Sequence, residues 1–258
     1  MTDYTNLNLK IDNHIATLTL NNPPAHTWTK DSLASLKQLV SDLNANKQVQ
    51  ALVVHGDGEK FFSAGADLNS FASGDKGQAV EMAIAFGEAF EALSTFRGVS
   101  IAVINGYAMG GGLECALACD IRIAESHAQM ALPELSVGLL PCAGGTQNLP
   151  WLVGEGWAKR MILCGERIKA DKALQIGLVE EVVEKGQGLA TAMALAEKVA
   201  KQSPDAIASS KALIMSARKQ PPSFNWITER ELFVKLFDGD NQKEGVNAFL
   251  EKRSPKWT

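Results

Sequence analysis

Residues 99–114 have the sequence VSIAVINGYAMGGGLE. The β-branched and apolar residues Val99–Ile104 predict a strand, and the residues after Gly112 predict a short helix. Glycine at this junction lets a ligand approach the backbone without meeting a Cβ atom. The first amides of a helix lack internal acceptors and lie at the positive end of its dipole. The junction therefore suits an oxygen atom that becomes negative during a reaction, and Glu114 adds a carboxylate one turn into the helix.

This glycine-rich junction has two other interpretations. It can be an ordinary tight turn, or it can be a loop that binds a nucleotide phosphate. The phosphate interpretation is the weaker one, because no Lys-Ser or Lys-Thr follows the glycines, the dinucleotide spacing is missing, and Glu114 would repel a phosphate. The tight turn stays open on this segment alone.

A second loop of small residues follows an earlier predicted strand at 51–56. It has the sequence Ser63-Ala64-Gly65-Ala66-Asp67-Leu68, in which backbone N–H groups could be exposed, although an ordinary connecting loop fits it equally well. Two such loops could direct two amides at one oxygen, which is the requirement for an oxyanion hole.

A second carboxylate lies further along, in a largely apolar stretch. Glu134 stands between Pro133 and Pro141, where a single glutamate can be solvated or can pair with a basic side chain. Taken with Glu114, it suggests two carboxylates across a cleft, of which one can stay protonated near neutral pH. Such a pair supplies one general acid and one general base.

The motifs Ser63–Leu68, Gly110–Glu114 and Pro133-Glu134, in this order, resemble the crotonase superfamily, also called the enoyl-CoA hydratase/isomerase family. The resemblance covers nearly the whole chain. It implies an α/β fold: a crotonase-like spiral of ββα units forms the catalytic core over 1–202, and a C-terminal helical region over 203–258 forms trimers, often paired into hexamers. Without it, alternating strands and helices would favour a doubly wound sheet.

The resemblance also implies a site and an activity. The amides of Ala66 and Gly111 form an oxyanion hole for a coenzyme A thioester, and Glu114 and Glu134 are the catalytic pair. The resemblance does not say which glutamate is the base; we favour Glu114 as base and Glu134 as acid. The implied reaction adds water to a trans-2-enoyl-CoA and gives a 3-hydroxyacyl-CoA, as in the catabolism of fatty acids or related acyl-CoAs. The alternatives are an isomerase acting on 3-enoyl-CoA and a non-catalytic acyl-CoA-binding protein. The implied substrate-binding residues are Ala64, Ala66, Asp67, Leu68, Asn69 and Gly111.

Three positions depart from the family pattern. They are the segment Pro24–Thr29, Asn69, where some hydratases have lysine, and Asn148, where an arginine often follows Gly-Thr-Gln. The first two bear on acyl preference and on contacts with the phosphates of coenzyme A. We expect none of the three to touch the reacting atoms.

Composition limits the partners. The chain has 258 residues, of which 46% are hydrophobic, so it can bury a sizeable core. The net charge of −4 and the lack of a basic tract argue against nucleic acid, and no apolar run is long enough to span a membrane. An acyl-CoA substrate would therefore need local positive charge.

The cysteines and histidines lack the spacing of a metal site. We therefore expect buried free thiols, no metal and no redox cofactor, with coenzyme A entering only as part of the substrate. The polar N-terminus lacks the core of a signal peptide, which favours the cytoplasm.

Helix patterns complete the predictions. Thr29–Ser32 begins a helix whose Leu33, Leu36, Leu39, Val40 and Leu43 share one face. Three further helices are predicted over 206–217, 224–237 and 241–252, separated at Pro221-Pro222 and at 238–240. Their large apolar residues exceed what this small region can bury alone: Trp226, Leu232, Phe233, Leu236, Phe237 and Phe249. Four other residues are expected to lie in the core, with an acyl pocket as the alternative: Trp28, Phe71, Met82 and Phe86.

Overall fold

The computed structural model describes residues 3–71, 74–218 and 222–258, with the side chains of 222–226 and 249 outside the description. The strands are β1 (Leu7–Asp12), β2 (Ile15–Leu20), β3 (Ala51–Gly56), β4 (Phe61–Ser63), β5 (Val99–Ile104), β6 (Tyr107–Met109), β7 (Ile121–Glu125), β8 (Gln129–Ala131), β9 (Ile168–Lys169) and β10 (Glu181–Val183). The helices are α1 (Lys30–Ala45), α2 (Lys76–Ser94), α3 (Gly111–Ala118), α4 (Gly145–Leu163), α5 (Ala170–Gln175), α6 (Gly188–Val199), α7 (Pro204–Ser216), α8 (Pro222–Lys235) and α9 (Asp240–Leu250). Short 3₁₀ turns lie at Leu68–Phe71, Glu134–Val137 and Leu236–Asp238.

The strands form two sheets that the chain visits alternately. A six-stranded sheet has the order β1-β2-β3-β5-β7-β10, and a four-stranded sheet has the order β4-β6-β8-β9. Each of β3, β5 and β7 is followed by a short strand of the smaller sheet, and a helix closes each of the first two turns. This arrangement confirms the spiral of ββα units.

The central strands β3 and β5 of the large sheet are covered on both faces, which explains why they are largely apolar, whereas the edge strand β1 is mostly exposed. One face, with Leu18, Leu52 and Ile104, packs in the same core as the buried residues of α1, α2 and α3. The other face, with Val53 and Val103, packs against α6 in a separate core. Alternate residues of one strand therefore belong to different cores.

Local hydrogen bonds define the ends of the first strands and of the first helix. The β1–β2 hairpin turns at Asn13-His14, because Asp12 still pairs with Ile15. Helix α1 begins after Thr29, whose hydroxyl accepts from the Ser32 N–H at 3.2 Å while the Ser32 hydroxyl accepts from the Thr29 N–H at 2.9 Å. The five predicted apolar residues of this helix are all buried.

Helices α7, α8 and α9 make up most of the described chain between Pro204 and Leu250. Phe233 and Phe237 are largely exposed, with ring centroids 5.5 Å apart, so this region does leave apolar surface uncovered. Pro221 and the side chains of Trp226 and Phe249 lie outside the described residues. The boundary at 202/203 stays a prediction.

The cysteines differ from the expectation that all are buried. Cys115 and Cys119 are buried free thiols, whereas Cys142 and Cys164 are free but exposed. Cys164 follows the end of α4, and Cys142 lies in the loop that leads into α4, so neither is covered by a sheet. In the described part of the chain, no helix combines the length and the apolar character needed to cross a bilayer.

Candidate active site

Three segments that leave the small sheet meet at one cavity. Strands β4, β6 and β8 are parallel neighbours, so their carboxyl ends lie at the same edge. The cavity has a volume of about 480 Å³. The segment after β4 contributes Ala64, Ala66, Asp67 and Leu68, and the junction after β6 contributes Gly110, Gly111 and Glu114. The segment after β8 contributes Pro133, Glu134, Ser136, Val137, Leu139, Leu140 and Cys142.

The Ala66 amide is left free by its own strand pairing. Ala66 forms a parallel bridge with Trp28. In this bridge the Trp28 N–H donates to Gly65 O at 2.8 Å, and the Asp67 N–H donates to Trp28 O at 3.2 Å. Parallel pairing uses the residues that flank Ala66, so the Ala66 N–H points away from Trp28. Among the described residues it has no acceptor.

The Gly111 amide lies at the start of α3. Gly110 precedes the helix with φ 51°, a conformation that favours glycine, and its N–H donates to Ala131 O at 2.9 Å. The Gly111 N–H is one of the unpaired donors of a helix N-terminus and has no acceptor among the described residues. The two loops lie close together. A Cβ atom added to Gly65 would lie only 3.0 Å from the Gly111 nitrogen.

Ser63 contacts both loops. Its buried hydroxyl donates to His26 O at 2.7 Å and accepts from the Gly65 N–H at 3.2 Å. A Cβ at Gly112 would overlap the Ser63 carbonyl oxygen, so the start of α3 packs directly on this residue. The position of Ala66 relative to Gly111 is therefore set by hydrogen bonds and close backbone packing.

Glu114 is a buried carboxylate with backbone partners. Its Oε1 accepts from the Ala143 N–H at 2.8 Å and from the Gly145 N–H at 2.9 Å. Burial raises the pKa of Glu114 above its usual value, and the two N–H groups act in the opposite direction because they stabilise the charged form.

Glu134 lacks such support. Both of its carboxylate oxygens are buried and have no hydrogen-bond partner among the described residues. Burial raises the pKa of Glu134 to about 7, and the charge of Glu114 adds to the rise. A Cβ at Gly110 would lie 3.1 Å from Glu134 Oε1, which places this carboxyl group over the start of α3.

The two carboxyl groups therefore differ in their proton affinity. Donated hydrogen bonds favour ionised Glu114, and an apolar setting without donors favours protonated Glu134 near neutral pH. One cavity thus holds one carboxyl group that favours the ionised form, one that favours the protonated form and two amide donors without acceptors among the described residues.

Most residues proposed from the sequence meet here, but Asn69 does not. Ala64, Ala66, Asp67, Leu68 and Gly111 line the cavity together with both glutamates. Asn69 instead turns back on its own loop, where its Nδ2 donates to Asp67 Oδ1 at 2.9 Å. Of the other positions that differ from the family pattern, Asn148 lines a different cavity beside α7. Thr27, in the segment 24–29, lines the cavity that holds the glutamates.

The four residues that the sequence left open between core and acyl pocket divide into two pairs. Phe71 and Phe86 line the cavity, whereas Trp28 and Met82 lie in the core as expected. Cys142, which the sequence did not indicate, also lines the cavity, and partial desolvation together with the charges of Glu114 and Glu134 raises the pKa of its thiol to about 11.

This chain is similar to known proteins in both sequence and structure. Residues 10–258 match the family model described as enoyl-CoA hydratase/isomerase. The short-chain-enoyl-CoA hydratase of Clostridium acetobutylicum is 36% identical over 252 residues, which is 97% of each chain. The structure of Pseudomonas aeruginosa DspI has a TM-score of 0.97 and 64% identity, and the match covers 100% of this chain and 98% of that one. The enoyl-CoA hydratase structure from Bacillus anthracis has a TM-score of 0.94 and 33% identity, with 98% and 99% covered.

Proposed function

Because this chain belongs to the enoyl-CoA hydratase/isomerase family, we propose that it adds water to a trans-2-enoyl-CoA and forms a 3-hydroxyacyl-CoA. The observation that carries the proposal is the pair of glutamates beside two free amides in one cavity. Acyl-CoA catabolism, including that of fatty acids, is the proposed context.

The two amides serve the thioester oxygen. Conjugation with the thioester carbonyl makes C3 of the substrate electrophilic, and addition of water there moves negative charge onto the carbonyl oxygen. The Ala66 and Gly111 N–H groups would donate to this oxygen as its charge develops. Because both donors are fixed by the backbone, they need no reorganisation during the reaction.

The glutamates divide the proton transfers. Ionised Glu114 takes a proton from the water molecule while the water oxygen attacks C3. Protonated Glu134 gives a proton to C2. The hydrogen bonds to Glu114 and the lack of donors at Glu134 support this assignment. The sum is one water molecule added across the double bond, and solvent exchange restores both carboxyl groups. The proposed reaction uses neither a metal nor a redox cofactor.

Product identity tests the proposal directly. The chain, incubated with crotonyl-CoA, should give 3-hydroxybutanoyl-CoA, detected by mass spectrometry and by loss of the absorbance of the conjugated thioester. An enzyme that shifts the double bond of 3-enoyl-CoA but never hydrates 2-enoyl-CoA would contradict it and leave the oxyanion hole in place.

The rate should depend on pH through both glutamates. Glu114 must be ionised, so kcat/KM should rise as the pH passes its pKa, and Glu134 must be protonated, so kcat/KM should fall above a pH of about 7. The two apparent pKa values belong to the pair. Initial rates across the neutral range check this, and Glu134→Gln should lose the alkaline limb. An unchanged alkaline limb in that variant would contradict the assignment of Glu134.

We also propose a homotrimer or a dimer of trimers, supported by the exposed apolar side chains of the C-terminal helices. Light scattering at micromolar concentration should give three or six times the chain mass of 27.7 kDa. Phe233→Asp with Phe237→Asp should dissociate the assembly, whereas Ile11→Asp, at an exposed apolar residue of β1, should not. A monomeric wild-type chain would rule the assembly out. The proposed location is the cytoplasm, which the free thiols support.

A further inference from the structure

Three aromatic rings in the core, those of Trp28, Phe90 and Phe86, form a continuous aromatic stack between the two loops that carry the free amides. The ring centroids of Trp28 and Phe90 are 5.5 Å apart at an interplanar angle of 73°, and those of Phe90 and Phe86 are 5.7 Å apart at 77°. Edge-to-face pairs of this kind are a favoured arrangement of aromatic side chains. All three residues are buried, so close packing restricts their movement.

The Trp28 end of the aromatic stack is joined to the Ala66 loop by the main chain. The backbone hydrogen bonds of Trp28 go to Gly65 and Asp67, the residues on either side of Ala66. Its indole Nε1 is buried and has no hydrogen-bond partner among the described residues, so the ring is held by packing. A movement of Trp28 would therefore carry the Ala66 amide with it.

The Phe86 end of the aromatic stack packs against the start of α3. A Cβ atom added to Gly111 would lie 2.8 Å from Phe86 Cε1 and 3.3 Å from Phe86 Cζ, so the edge of the ring lies against the Gly111 backbone. Phe86 and Phe90 are four residues apart on α2, which places them on one face of that helix. The Phe86 ring thus limits how far the Gly111 backbone can shift toward α2.

From these contacts we propose that the aromatic stack sets the separation of the Ala66 and Gly111 amides, in addition to the contacts that Ser63 makes with both loops. Trp28 and Phe90 are then positioning residues, because neither is among the described residues that line the cavity. The inference rests on the proposed function, since it takes these two amides to receive the thioester oxygen.

Removal of the central ring should slow the reaction without weakening substrate binding. Phe90→Leu leaves a void into which Trp28 and Phe86 can shift, and misplacement of active-site groups by about 1 Å can cost about 10² in rate. For a smaller displacement we expect kcat for crotonyl-CoA to fall about tenfold, with KM within about twofold of wild type, because oxyanion hydrogen bonds strengthen only as charge develops. Steady-state kinetics measure both constants.

The carbonyl stretching frequency of a bound thioester reports the two hydrogen bonds themselves. Butanoyl-CoA labelled with ¹³C at the thioester carbonyl is a suitable probe, because it has no double bond to hydrate. Donors at the carbonyl oxygen lower this frequency, so isotope-edited infrared difference spectra should show the band of the wild-type complex below that of free butanoyl-CoA. In Phe90→Leu the band should move back toward the free value, whereas a residue that only stabilises the fold would leave it unchanged.

Substitution of Trp28 provides a second, conservative pair of variants. Trp28→Phe keeps an aromatic ring against Phe90 and removes an N–H group that has no partner among the described residues, so kcat should stay within about threefold of wild type. Trp28→Leu loses the ring and should lower kcat about tenfold. This pair carries the same test if Phe90→Leu does not fold.

The matched control is Phe96→Leu, the same substitution in the same core. Phe96 is 0% exposed and, in the described part of the chain, does not line the cavity. The control should lower the midpoint of thermal unfolding about as much as Phe90→Leu does. It should nevertheless keep kcat within about twofold of wild type and leave the carbonyl band at its wild-type position.

The outcomes separate this inference from the proposed function. A carbonyl band that stays in place in Phe90→Leu, or a kcat that falls no further than in Phe96→Leu, would overturn the positioning role. Hydration of crotonyl-CoA by the wild-type chain would in that case leave the proposed function standing. A band that moves in Phe90→Leu, in a chain that hydrates no 2-enoyl-CoA, would instead overturn the proposed function and retain the positioning of the two amides.

Discussion

Replacement of Glu114 or Glu134 by glutamine is expected to lower kcat for hydration of crotonyl-CoA by about 10² to 10⁴ in each case. Glutamine keeps the size and polarity of the side chain but can neither accept nor release the proton. Because the two residues act as a unit in one addition reaction, the double variant should be much less than multiplicatively worse. Steady-state rates of the three variants, with product identification, measure this.

A buried carboxylate outside the cavity provides the control. Glu125 is 5% exposed and accepts from the Gly188 N–H at 3.1 Å, so Glu125→Gln also removes a buried negative charge. We expect its kcat to stay within a few fold of wild type. An isomerase would behave differently: Glu134→Gln would abolish turnover while Glu114→Gln would keep most of it. Hydration that survives in both glutamine variants would contradict the paired mechanism.

The catalytic loops could be predicted because their signals are local. A glycine run follows the β-branched strand β5 within a few residues, and small residues follow β4. Each loop is therefore marked by nearby residues. Strand β5 has the predicted bounds, Val99–Ile104. The pairing of the two loops needed the resemblance, because short strands such as β4 and β6 carry too little pattern to indicate a second sheet.

The environment of Glu114 could not be predicted from side-chain types. Its partners, the amides of Ala143 and Gly145, lie about thirty positions along the chain, and any residue except proline supplies an N–H group. The asymmetry between the two glutamates therefore becomes visible only when the loop before α4 folds over α3. The assignment of base and acid depends on that contact.

Aromatic residues at the cavity were also ambiguous in sequence. Phe86 is 3% exposed and has the helical spacing of a core residue, and it does pack on Phe90 with centroids 5.7 Å apart. The same ring also faces the cavity, because Gly111 has no Cβ to cover it. A residue can thus satisfy a core pattern and line a site.

Substitution in the proposed oxyanion hole is expected to give the second large effect. Gly111→Pro removes one N–H donor and should lower kcat by about 10² to 10³ with little change in KM, because the hydrogen bond strengthens only as charge develops. Gly111 is the first residue of α3, a position where proline fits the backbone of a helix. Steady-state kinetics with crotonyl-CoA, together with a thermal unfolding curve, measure the effect.

Proline also adds atoms, and Gly111→Ala isolates that contribution. A Cβ at Gly111 would lie 2.8 Å from Phe86 Cε1, so both substitutions displace this ring, but alanine keeps the N–H group. Adding Phe86→Leu to each variant should relieve the collision without restoring the missing donor. If the amide stabilises the thioester oxygen, proline stays about 10²-fold slower than alanine in the Phe86→Leu background as well. Equal rates for proline and alanine would show that the loss is steric, and the Gly111 amide would then have no part in the oxyanion hole.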